Sequence, residues 1–208
     1  MSTSFFQVTV AHMPPLFVGG HSAIDFLNTW CEPQGLPFEA FTDGATFLEW
    51  FVGAGLVDPA AAARLSRRVG RKALDQAALE AREVREWARA WLDRWRQAPR
   101  RGYPAELKVL NDLLARTTYR RQVRAQDGAF VSVEEAPLAA TADLIGLLAA
   151  QLASLVTQED PALVKRCAGA ACTLWFLDRT KAHRRVFCSP TACANRAKVA
   201  AFRERQRR

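Results

Sequence analysis

The sequence predicts a mainly α chain with one β-hairpin (α+β): a helical N-terminal domain over residues 1–160, then a small four-cysteine module over 161–208. Three observations carry that prediction. Apolar residues recur at helical spacing through most of the first part, with Trp87, Trp91 and Trp95 four positions apart. Asp127-Gly128 breaks the helical pattern with a short-range hairpin signal. Four of the five cysteines fall late in the chain as C-x4-C-x15-C-x4-C.

The elements follow in order. Residues 5–18 mix β-branched and aromatic types before Gly19-Gly20 and read as a strand and a turn. His21 to Trp30 is an amphipathic helix with apolar residues at 23, 24, 26, 27 and 30. Cys31 to Phe41 holds two prolines and a glycine and reads as loop. Asp43 caps a helix whose inner face is Phe47, Leu48, Phe51 and Val52. Asp58-Pro59 opens a longer helix reaching about Gln97 and broken near Gly70, because a cap followed by an N1 proline is a strong start. The tryptophan stripe, with Val84 and Leu92, is its core face. Pro104 opens a helix with Leu107, Leu110, Leu113 and Leu114 inward. Tyr119–Gln126 and Ala129–Glu134 are the hairpin strands. Thr141 to Val156 is apolar over much of its surface and belongs at the centre of the bundle, and Asp160-Pro161 stops and restarts the chain.

The clustered thiols carry the chemistry. Two close cysteine pairs joined by a loop supply a tetrahedron of soft ligands, so Cys167, Cys172, Cys188 and Cys193 are expected to hold one Zn²⁺. His183 is the alternative to one of the cysteines. Four thiolates leave no open position for water, which makes the metal structural. A segment this short has too little apolar surface to fold firmly alone, and coordination supplies the difference. Leu174–Leu177 reads as a short strand paired with Val186-Phe187. Cys31 stands apart as a free thiol.

This tail resembles the CGNR zinc-finger family through Cys167-Ala168, Cys172, Trp175-Phe176-Leu177-Asp178, Arg184-Arg185, Cys188 and Cys193-Ala194-Asn195-Arg196-Ala197-Lys198-Val199. The name-giving glycine is Ala194, Thr180-Lys181 replaces the usual Ser-Arg, and Pro190 sits in the second knuckle. Alanine at 194 implies a backbone outside the left-handed region. Phe17-Val-Gly-Gly-His-Ser-Ala-Ile-Asp-Phe-Leu-Asn-Thr29 resembles the start of the ABATE domain, that family's usual partner. The two resemblances imply a bacterial-type transcription regulator and no known reaction.

Charge points the same way. The net charge of +8 is concentrated at one end: residues 163–208 carry twelve Lys or Arg against two acids (+10), leaving 17 bases and 19 acids elsewhere (−2). A basic end of this kind suits a polyanionic partner, most simply DNA. Residues 194–208 suit a helix on which Arg196, Arg203 and Arg207 share a stripe, with Lys198 beside it and Arg184 and Arg185 as candidates to extend it. Val199 and Phe202 are expected to pack on the module. A solvated basic face is the plainer alternative. Asn195 and Arg196 suit either base recognition or bracing of the knuckle.

His21, Asp25, Asn28 and Thr29 share one side of the first helix, so they either line a pocket for a small-molecule effector or form an exposed polar face. No phosphate loop, nucleophile elbow or zinc-protease motif occurs, and the chain has three histidines. A non-enzymatic protein with no catalytic residues is expected. The rivals to a DNA-binding regulator are an RNA- or protein-binding finger, or an enzyme of unknown class using an N-domain pocket. No run reaches the roughly 18 apolar residues of a membrane span and the start makes a poor signal peptide, so a cytoplasmic location with no membrane partner is expected.

Overall fold

The computed structural model describes residues 14–135 and 138–207. In chain order the elements are α1 (Ser22–Leu27), β1 (Trp30–Cys31), β2 (Phe38–Glu39), α2 (Gly44–Gly53), α3 (Pro59–Gln97), α4 (Pro104–Leu114), β3 (Arg120–Gln126), β4 (Ala129–Glu135), α5 (Thr141–Gln158), β5 (Val164–Arg166), β6 (Trp175–Leu177) and α6 (Asn195–Gln206). The described strands form three antiparallel two-stranded ribbons, β1–β2, β3–β4 and β5–β6.

Capping explains where the helices begin. Asp43 accepts from the Thr46 N–H at 2.9 Å while Thr46 Oγ1 accepts from the Asp43 N–H, a reciprocal box that satisfies two otherwise orphaned donors. Asp58 accepts from Ala60 and Ala61 at 2.9 Å ahead of Pro59. The long helix does break at Gly70, where φ is +75°, a conformation in which a side chain would be strained. Gly44 answers a different need. A Cβ there would collide with the backbone of Leu74 and Asp75, so its absence lets the start of α2 press against α3.

The core gathers Phe26, Phe41, Phe47, Trp50 and Phe51 with Trp91 and Leu92 of α3 and Leu144, Ile145, Leu148 and Leu152 of α5. Each of these side chains contributes roughly 1.5–3 kcal/mol by leaving water. By length and composition α5 could cross a membrane, yet its apolar residues are packed inside this bundle. Leu107 stays 41% exposed, outside the core that Leu110 and Leu113 enter.

Other expectations are corrected. The strand expected over 5–18 lies outside the described residues as far as position 13, and 14–18 is irregular. The segment after Trp30 is more than loop: β1 and β2 pair around a turn at Pro33–Gly35. β6 pairs with β5 rather than with Val186-Phe187: the Cys167 N–H bonds Leu174 O at 2.9 Å, beside the ribbon, whereas Val186 O accepts from the Ala168 N–H of the first knuckle at 2.8 Å. Val164, Trp175 and Leu177 also belong to the main core, so one apolar interior runs across residue 160.

Candidate metal centre and its basic helix

β5 and β6 meet with Arg166 opposite Trp175, and the chain leaving β5 enters the first knuckle. Its turn is closed by the Cys172 N–H bonding Gly169 O at 3.0 Å. The second knuckle is a wide turn over Pro190–Ala194, capped by Ser189 Oγ, which accepts from the Ala192 N–H at 3.1 Å. Ala194 has φ −66°, as its side chain requires, and leads directly into α6.

These two turns bring the four cysteine sulfurs within 4.8 Å of one another. Cys167, Cys188 and Cys193 are buried and Cys172 is partly so. The sulfurs already receive donors suited to thiolates: Gly169 N–H and Cys188 N–H point to Cys167 Sγ at 3.4 and 3.3 Å, and Arg196 Nη2 to Cys193 Sγ at 3.0 Å. Hydrogen bonding from Cys188 pulls the Cys172 thiol down to about 5, while that same contact and burial push Cys188 up. Crowded thiols thus resist losing all four protons until a cation is present, and a divalent ion removes that resistance. The donor set fits one structural zinc in a closed four-sulfur shell. His183 is not part of it; its Nδ1 lies 3.3 Å from the Asp178 carbonyl.

Asp178 organises the loop between the knuckles. Its buried carboxylate accepts from Lys165 Nζ at 2.6 Å, Thr180 Oγ1 at 2.5 Å, Thr180 N at 3.1 Å and Arg185 N at 2.9 Å. Burial opposes its ionisation, but these donors outweigh that and hold it well below the usual carboxylate range. Arg185 lies over the Phe176 ring at 4.4 Å and donates to the carbonyls of Phe187 and Cys188, so its guanidinium is engaged within the finger. Arg184 is exposed.

α6 starts two residues after the last sulfur ligand and buries none of its side chains. Asn195, Arg196, Lys198, Arg203 and Arg207 are all exposed, and Arg196 also braces the knuckle through its sulfur contact. Val199 and Phe202 are 42% and 56% exposed rather than packed on the module.

The polar residues of α1 are engaged by the fold. His21 Nδ1 accepts from the Ala23 N–H at 3.1 Å as the helix N-cap. Asp25 accepts from the Gly19 N–H at 2.7 Å, and burial raises its carboxyl to about 6. Asn28 donates through Nδ2 to Trp175 O at 2.9 Å and accepts from the Trp175 N–H at 2.8 Å. Thr29 Oγ1 donates to Phe26 O and accepts from Arg85. Each of the four is thus engaged by the fold: His21 caps α1, Asp25 orders the turn at Gly19, Asn28 ties α1 to β6 and Thr29 ties it to α3.

Two groups escaped the sequence reading. Arg85, 3% exposed, forms a two-pronged pair with Glu39 at 2.8 and 2.7 Å, and Arg89 donates to Leu27 O and Trp30 O. Both fall on α3 among many surface arginines, with nothing local to single them out. Trp175 lies between Arg96 and Arg166, whose guanidinium carbons are 5.3 and 5.2 Å from its ring. Cys31 is fully buried in the apolar cluster beneath the knuckle, and burial pushes its thiol up to about 12.

Comparison with known families agrees with this geometry. Residues 164–206 match the model of the CGNR zinc finger. Residues 20–159 match the model of the ABATE domain, described as "Putative stress-induced transcription regulator". Neither description names a reaction, and no curated protein matches the chain. With a zinc finger at its end and two thirds of its length matched by the other model, the chain belongs to the ABATE family.

Proposed function

We propose that the protein is a DNA-binding transcription regulator in which the metal centre fixes α6 as the DNA contact and the N-terminal body senses a small-molecule effector. The observation that carries the reading is the position of α6. It is held at one end by the four-sulfur site and exposes Lys198, Arg203, Arg205 and Arg207 along its length. Such a helix neutralises phosphates, and its first residues are the ones able to reach base edges. Arg184 adds to the same positive field, whereas Arg185 holds the finger together.

Binding should therefore weaken steeply with salt, as each neutralised phosphate releases condensed counterion. Replacing Arg203 and Arg207 by alanine should lower affinity for every sequence and flatten the logarithmic salt slope by about one unit per lost contact. Electrophoretic shift with duplex DNA across a salt series measures this. Equal binding by parent and variant would sink the reading. An RNA- or protein-binding finger is the second reading, favoured by the exposure of Val199 and Phe202 on the same helix. Stronger retention of single-stranded RNA than of duplex DNA would select it.

A further inference from the structure

A second basic site lies on the N-terminal body. Arg64, Arg67 and Arg68 stand at i, i+3 and i+4 on α3, which places them on one face. With Leu138, from the segment ahead of α5, they line a cleft of about 420 Å³. All three arginines are exposed.

Many of the body's arginines meet carboxylates: Arg85 meets Glu39, Arg94 meets Glu106, Arg116 meets Glu80 and Arg179 meets Glu159. Arg71, the next in the run, meets Asp75 at 3.7 Å. Among the described residues no carboxylate pairs with Arg64, Arg67 or Arg68. Like charges at this spacing cost a helix a few tenths of a kcal/mol each, and an anion in the cleft would reverse the sign of that effect.

We propose that this cleft binds a small polyphosphate anion. Guanidinium forks match phosphate oxygens two at a time, and three of them suit a ligand with several negative charges better than a single phosphate. The volume lies within the range of small-molecule sites, and Leu138 offers an apolar wall to an organic group joined to the phosphates. The phosphate could instead belong to a nucleic-acid backbone, but distance opposes that source. Arg96, farther along α3, touches Val164 O and the Trp175 ring. Beyond the break at Gly70 the helix rises roughly 37 Å from Arg71 to Arg96, and Arg67 and Arg68 stand just ahead of that break, at the end of α3 away from the finger. The site gives the proposed sensing role a ligand class, and it stands whether or not α6 contacts DNA.

Calorimetry with inorganic tripolyphosphate and the zinc-loaded full chain tests it. One site per chain is expected, weakened roughly tenfold or more when Arg64, Arg67 and Arg68 are all replaced by alanine. Arg203→Ala/Arg207→Ala should leave that site intact. If the α6 variant removes the binding and the α3 variant does not, the phosphate was held by the tail and the proposal fails. It also fails if the α3 variant loses duplex DNA affinity as severely as the α6 variant, since the cleft would then be a backbone contact. Should the triple variant lose its helical circular dichroism, Arg67→Gln is read instead, with a several-fold weakening expected and an unchanged affinity overturning the idea.

Discussion

The chain contains two short antiparallel ribbons that could hardly differ more in how they are held. The β3–β4 ribbon has seven residues on each strand, yet every side chain of β3 is exposed, and Val123 and Phe130 are 71% and 85% open to water. The β5–β6 ribbon has three residues on each strand, and Trp175, Phe176 and Leu177 are all buried. The first is specified locally by its Asp127-Gly128 turn, whose two residues have φ of +51° and +80°. The second has no tight turn: its strands are joined through the first knuckle. Its outer edge is covered by the body, with Asn28 bonding Trp175 and the Gly19 carbonyl accepting from the Leu177 N–H at 2.7 Å. Length and turn chemistry make a ribbon; burial, metal and a covered edge make one that bears load from elsewhere in the fold.

Removing the metal should separate the two ribbons most. Structural zinc of this kind contributes about 10–16 kcal/mol of apparent binding free energy, most of it folding free energy for the segment it ties. Purified protein should carry zinc near one per chain. Chelation, or Cys172→Ser, should speed amide hydrogen exchange over 167–207 while α3, α5 and β3–β4 keep their protection. Unchanged exchange in the finger after metal loss would remove zinc from the account.

The edge contact comes next. Asn28→Ala leaves the buried N–H and C=O of Trp175 without their partners, at about 1–3 kcal/mol for each. A denaturant midpoint should fall accordingly, and β6 amides should exchange faster than those of β4. A third effect runs through Asp25, which orders the Gly19 turn that meets β6. Its folded carboxyl sits at about 6 against an ordinary 3.8. The folded state therefore binds the proton more tightly, so this group's stabilisation is complete below 3.8 and is lost as pH rises through 6. The loss should be on the order of 2–3 kcal/mol. Asp25→Asn should flatten the stability difference between pH 4.5 and 7, and taking the difference from the parent cancels the metal's own pH dependence. The smallest effect belongs to the free ribbon: Phe130→Ser should change stability by less than about 0.5 kcal/mol, because so little of that ring leaves water on folding. A loss above 2 kcal/mol would mean that the ribbon is packed after all.

What could be read from the sequence follows the same division. Caps at Asp43 and Asp58, the break at Gly70, the Asp-Gly turn and the cysteine spacing are local signals, and each appears in the structure where the residues place it. The partner of β6 was not legible, since Val164–Arg166 carries no turn to announce it and Val186-Phe187 is nearer in kind. The polar residues of α1 were visible as a group, but their task was not. Asn28 and Trp175 are 147 positions apart, and a hydrogen bond to backbone leaves no trace in the partner's side chain. Val199 and Phe202 misled for a related reason: helical periodicity tells which residues share a face, not whether anything covers it.

The bond between Asn28 and Trp175 also bears on where this chain can lengthen. The amide grips main-chain atoms, so it is indifferent to which residue stands at 175 but sensitive to how the strand is threaded. One residue inserted between Cys172 and Trp175 would advance β6 by a step, turn its indole from the core to the far face and offer Asn28 the wrong peptide group. The reach back to the second sulfur would change too. Insertions at Asp127-Gly128 disturb neither relation. Length variation among related chains should therefore collect at the tip of the open ribbon and be absent from the two positions that separate a metal ligand from a gripped strand.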